Sequence, residues 1–151
     1  MRLSPDGKRI VYARGTELNK EETSANPLNL AKLPKQQAWT VNVDGGGEPR
    51  LLGDIGCSEE GCEDLQVSPD SKTVVWPAKK HLWIASLDGK KKAEQLEELL
   101  GESDTPRWSP DGKRIAFRSN RKDHSFIAVI ELATKKITYL TPSTNRDASP
   151  V

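Results

Sequence analysis

The sequence predicts an all-β chain assembled from about three copies of a four-stranded antiparallel unit. Three observations carry that prediction. One ten-residue phrase occurs three times, each copy is followed by a second strand and a hairpin signal, and two of the copies stand 41 residues apart. Self-similarity at a spacing of this size marks an array in which each unit buries its apolar face against the next.

The phrase is clearest at Trp108-Ser109-Pro110-Asp111-Gly112-Lys113-Arg114-Ile115-Ala116-Phe117. Ser109 suits the first position of a type I turn. Pro110 is preset for the second, Asp111 can hydrogen-bond local backbone, and Gly112 accepts the left-handed conformation that closes the turn. Ile115, Ala116 and Phe117 are consecutive apolar residues, which predicts a strand covered on both faces. The other copies run from Leu3 to Tyr12 and from Val67 to Trp76. In register, Ile10, Val74 and Ile115 are equivalent, as are Val11, Val75 and Ala116, then Tyr12, Trp76 and Phe117. Ser71 stands where the other two turns have Gly, at a cost of ~1 kcal/mol if that residue must be left-handed.

A second strand follows in each unit, over Ala38 to Asp44, Leu82 to Asp88 and Ile127 to Leu132. Aligned on their ends, Trp39 matches Trp83, and Val43 matches Leu87 and Leu132. Asp44-Gly45 and Asp88-Gly89 are strong hairpin signals, with Ala133-Thr134-Lys135 in the third unit. A more polar third strand then suits an outer edge: Pro49 to Leu52, about Ala93 to Leu96, and Lys136 to Thr141. The stretch from Lys90 to Glu102 also carries Leu96, Leu99 and Leu100, and a helical turn is an open alternative there. A short strand precedes each turn, seen as Thr105-Pro106-Arg107-Trp108, and its Pro places it at an edge.

A four-stranded meander of about 41 residues is the size of a propeller blade. The expected architecture is a partial β-propeller with blade 1 at about 2–53, blade 2 at about 60–100 and blade 3 at about 103–142. Residues 147–151, Asp147-Ala148-Ser149-Pro150-Val151, resemble the strand before the third turn and read as the first strand of a further blade. Blade 1 carries an insertion at 15–37, in which Asn26-Pro27 and Leu33-Pro34 argue against one long helix. The insertion is either a substrate- or partner-facing loop or a surface excursion, and its Glu21-Glu22 pair is a candidate contact for an amine.

The bulk composition excludes several function classes. Charged residues make up 30% of the 151 residues with a formal net charge of +1, which gives no basic excess for nucleic acid. No stretch approaches 18 consecutive apolar residues, and the first residues enter a turn directly, with no leader peptide visible in this chain. The chain reads as a piece of a longer array. Cys57 and Cys62 form either a short-loop disulfide or two free thiols. A metal site would need further ligands, and His81 and His124 lie on other segments. Asp6, Asp70 and Asp111 are a blade apart, so they cannot converge on one ion.

The phrase from Pro106 to Phe117 resembles the repeat of TolB-type, WD-like β-propellers. The same repeat forms the propeller domain of prolyl oligopeptidase family serine peptidases, including dipeptidyl-peptidase and acylaminoacyl-peptidase branches. The resemblance covers nearly the whole chain apart from 15–37 and 53–63. It implies a non-catalytic propeller domain that gates access to a peptidase and helps bind peptides, or alternatively a TolB-like protein-interaction scaffold. It implies no cofactor. It leaves the compartment open, with export of the parent protein favoured.

An acyl-transfer enzyme of that family needs a G-x-S-x-G elbow followed by Asp and His, and this sequence contains none. Ser4, Ser68 and Ser109 are turn residues before Pro, and His81 and His124 read as surface residues, so no catalytic residue is expected in this chain. Three blades cannot close a ring, since propellers typically have four to eight. Self-association is therefore expected, with two copies closing a six-bladed ring as the simplest solution.

Overall fold

The computed structural model describes residues 1–15, 36–55, 64–78, 80–98, 101–121 and 123–140. Within them, twelve strands form three four-stranded antiparallel sheets, each a simple meander. Blade 1 comprises β1 (Arg2–Leu3), β2 (Arg9–Arg14), β3 (Gln37–Asn42) and β4 (Arg50–Asp54). Blade 2 comprises β5 (Gln66–Val67), β6 (Thr73–Ala78), β7 (His81–Ser86) and β8 (Glu94–Gln95). Blade 3 comprises β9 (Glu102–Trp108), β10 (Arg114–Asn120), β11 (Ser125–Glu131) and β12 (Ile137–Leu140).

The repeated phrase folds the same way three times because its side chains satisfy its own backbone. In each turn the Ser hydroxyl donates to the Asp carboxylate at 2.6 Å, from Ser4 to Asp6, Ser68 to Asp70 and Ser109 to Asp111. The same hydroxyl accepts from the amide five residues on, at 2.9 Å from Arg9 and Thr73 and 3.0 Å from Arg114. The Asp carboxylate also caps the amide two residues on, at Lys8, Lys72 and Lys113. Gly7, Ser71 and Gly112 are all left-handed, with φ of 71°, 58° and 67°. Ser71 therefore adopts the backbone that its position demands despite carrying a Cβ.

Two apolar layers hold the three sheets together. Val11, Ala38 and Leu52 of blade 1 pack on Val74, Trp76 and Ala85 of blade 2. On the other side of blade 2, Val75, Leu82 and Leu96 pack on Ile115, Phe117, Ala128 and Ile130 of blade 3. β6 is thus covered on both faces, with Val74, Val75 and Trp76 all at most 1% exposed, and β7 likewise sends Ala85 into one layer and Leu82 into the other. In β10 the burial alternates, because Ile115 and Phe117 face blade 2 while Ala116 points away from it. The expectation of two covered faces fails there because no further described sheet lies beyond blade 3.

The connection from 90 to 98 contains the short strand β8 and no helical turn. Leu96 instead enters the core between blades 2 and 3. Pro77 sits in the central strand β6, opposite Leu82. It is tolerated because β5 pairs only with Val74 and Val75 and stops before reaching it.

Candidate interaction face

A meander places successive connections at alternate ends of each sheet. One end of the array carries the 4–8, 68–72 and 109–113 turns together with the hairpins that follow β3, β7 and β11. At the other end lie the last residues of β2, β6 and β10 and the first of β3, β7 and β11, with the described residues Lys80, Arg121, Asp123 and His124 beside them.

The turn end is locked by hydrogen bonds. The hairpin after β7 uses the same device as the repeated turns: Ser86 Oγ donates to Asp88 at 2.8 Å, Lys90 N donates to Asp88 at 3.1 Å, and Lys91 N donates to Ser86 Oγ at 3.1 Å. The signal Ser86-x-Asp88-Gly89-Lys90 was present in the sequence without the proline that draws attention to the other copies. Neighbouring blades are tied here as well. Asp6 N donates to Ser71 Oγ at 3.0 Å, and the Arg50 guanidinium donates to Asp88 O at 2.9 Å.

Asp6, Asp70, Asp88 and Asp111, all at this end, have carboxyls held below their ordinary pKa of 3.8. The serine hydroxyl is the first cause at Asp6, Asp70 and Asp111. At Asp88 the Lys90 amide comes first, and the carboxyl is lowered to about 2. A carboxylate held this acidic is a poor general base. Each turn serine already directs its proton to that carboxylate and its lone pairs to a backbone amide, so these Ser–Asp pairs close turns and do not form nucleophile–base pairs.

The loop end is built differently, from pairings that do not repeat. Glu97, whose side chain has no exposure, accepts from Leu82 N at 3.0 Å and lies 3.5 Å from His81 Nδ1. His81 is thereby half-buried against a carboxylate, where the sequence suggested a surface residue. Lys80 and Glu102 pair at 3.3 Å, and Ser103 N donates to Lys80 O across the blade boundary. In blade 3 the Arg118 guanidinium grips Asp104 with two bonds of 2.8 and 2.9 Å, and Asn120 adds a third at 3.2 Å. A register shift at Ala116–Arg118 and a φ of 48° at Thr105 accompany this clamp. His124 lies against Phe126, which packs edge-on against Tyr139. The Asp104 clamp and the Glu97–His81 contact were not found from the sequence, since each joins residues on different strands with no repeated counterpart.

Among the described residues, no group of three His, Cys, Asp or Glu side chains is arranged to hold a metal ion. None of their helices is long and apolar enough to cross a membrane. Glu21, Glu22, Cys57 and Cys62 lie outside the described residues, as do 147–151.

Three four-stranded meanders, packed face to face with their first strands adjacent, define the class: these are blades of a β-propeller. Solved structures place the chain more narrowly, with a TolB-like propeller fold. A putative TolB from Agrobacterium tumefaciens matches at 21% identity with a TM-score of 0.57, over 93% of this chain and 45% of that one. An oligogalacturonate lyase in complex with manganese matches at 16% identity and 0.57, over 90% and 39%. The β-propeller domain of the Trilobed protease from Pyrococcus furiosus, described as having an open velcro topology, matches at 13% and 0.56, over 87% and 38%. The chain spans less than half the length of each. No protein-family model and no curated protein matches it.

Proposed function

We propose that the chain is a non-catalytic propeller module that works by binding polypeptide at its loop end, as the propeller of a prolyl oligopeptidase family serine peptidase that gates peptide access. The observation that carries this reading is the contrast between the two ends. The turn end uses its polar groups on its own backbone, whereas the side-chain pairings of the loop end differ from blade to blade. Binding residues concentrate on such loops over a rigid scaffold. Likeness to a protease propeller supports the peptidase setting. Likeness to a TolB protein supports a second reading, an interaction scaffold that captures a protein partner on the same end.

The reading frame beyond the Val151 codon separates the two. The peptidase reading expects further blades, then a G-x-S-x-G elbow with Asp and His after it. A frame that closes after further blades with no elbow overturns it in favour of the scaffold.

A further inference from the structure

The boundary between blades 1 and 2 carries a groove along the outer rim, with a volume of about 590 Å³. Its walls are β4 of blade 1 and the 89–93 stretch of blade 2, with Trp83 and Ala78 between them. Both walls belong to this chain, so the groove does not depend on what adjoins the outer faces of blades 1 and 3.

The two walls differ in character. In β4, Leu52 is sealed into the contact with blade 2, whereas Leu51 remains 46% exposed. Gly53 lets this strand sit close to blade 2, since a Cβ there would meet the Trp76 ring at 3.0 Å and the Ala93 Cβ at 3.1 Å. The facing wall is Lys90-Lys91-Lys92, three consecutive exposed cations. Lys90 is held by Asp88 at 3.4 Å. The Lys91 and Lys92 ammonium groups make no ion pair among the described residues. Asp54 also lines the groove, but at the opposite end of β4 from Arg50 and the lysine hairpin, and it accepts from Gln37 Nε2 at 3.3 Å.

We propose that this rim groove binds an extended acidic segment of a partner protein, with apolar side chains on Leu51 and carboxylates on Lys91 and Lys92. Charge complementarity selects the guest, because two unpaired cations stand beside an exposed leucine. β4 is the last strand of its sheet, so an extended chain can lie along its backbone edge. Alongside β4 there is room for about five residues, at ~3.3 Å each. Sugars and bases stack on aromatic faces, and Trp83 is only partly exposed with its indole N–H tied to Ala78 O. The aliphatic surface of Leu51 suits a polypeptide side chain better. This is a second surface, on the rim rather than at the loop end, and the inference holds whether the module serves a peptidase or a scaffold.

Fluorescence anisotropy on the 151-residue chain tests it with a labelled hexapeptide of alternating Leu and Glu. We expect a Kd on the order of 100 μM. Binding should weaken about fivefold as NaCl rises from about 50 to about 500 mM. Peptides with Ser for Leu, or with Lys for Glu, should bind about tenfold more weakly. The double variant Lys91→Glu, Lys92→Glu should lose binding, and Leu51→Ser should weaken it about fivefold, both with unchanged circular dichroism. Lys91→Gln with Lys92→Gln replaces the charge reversal if that variant does not fold. Lys72→Glu, on a turn outside the groove, should leave binding unchanged. No binding at about 1 mM peptide overturns the proposal, as does an equal loss in Lys72→Glu. Equal binding of the Ser–Glu peptide also overturns it, since that result marks a general polyanion surface.

Discussion

The middle blade and the two end blades carry the same ten-residue phrase and differ in what surrounds it. In β6 three consecutive apolar residues are sealed, with Val74 and Val75 at 0% and Trp76 at 1% exposure. In β2 only Val11 is sealed, and Ile10 and Tyr12 on either side of it are half-exposed. The turns that precede these strands are nevertheless superposable in their hydrogen bonds. Local structure is therefore written into each repeat, while burial belongs to the contact between repeats. Such an array has a stability that divides into repeat terms and neighbour terms.

The largest expected effect tests that division directly. Trp76 and Tyr12 are repeat equivalents, but Trp76 also donates to Asp54 O and fills the space beside Gly53, where an added Cβ would meet its ring at 3.0 Å. Trp76→Ala should cost about 3–5 kcal/mol. Tyr12→Ala should cost about 1–2 kcal/mol, because that side chain is only partly buried. Urea titrations of both variants at low protein concentration measure the gap. Equal costs for the two variants in dilute solution would show that blade 1 is covered by something else.

Acid should act on the ends and the middle alike. Asp6, Asp70, Asp88 and Asp111 are all more acidic in the folded chain than their ordinary 3.8, through hydrogen bonds from turn serines and amides. A depressed folded acidity contributes stability above the unfolded value and loses it as the pH falls through the folded one. The urea midpoint should therefore hold above about pH 4 and fall between about pH 4 and 2. Asp88→Asn should flatten the lower part of that fall, because this carboxyl titrates at about 2. A midpoint that does not change from pH 5 to pH 2 would remove the turn aspartates from the account.

How much of this was legible in the sequence follows the same line. The turns, the order of the strands and the polar outer strands were readable because each is dictated by residues within one repeat. Double coverage of the strand from Ile115 to Phe117 was misread, since an apolar run looks the same in a middle blade and in an end blade. The turn chemistry at Ser86–Lys90 was visible as a hairpin but not as a further copy of the Ser–Asp device. The clamp on Asp104 and the burial of Glu97 were invisible, because their partners come from strands that only the fold brings together.

Ser71 isolates the smallest difference between the repeats. Its left-handed backbone, φ 58°, costs about 1 kcal/mol relative to glycine. Its hydroxyl also accepts from Asp6 N of the neighbouring blade, a bond that glycine cannot make and that contributes about 0.5–1 kcal/mol at an exposed site. Ser71→Gly removes both terms and should leave stability within about 0.5 kcal/mol of wild type, a balance helped by the greater freedom of glycine in the unfolded chain. Ser71→Ala keeps the strain and loses the bond, so it should fall about 0.5–1 kcal/mol below both. Hydrogen exchange at the Asp6 amide gives a local check, and protection there should drop in both variants. If Ser71→Ala matches wild type with Asp6 still protected, the neighbour term at this turn is zero and the serine is simply strained.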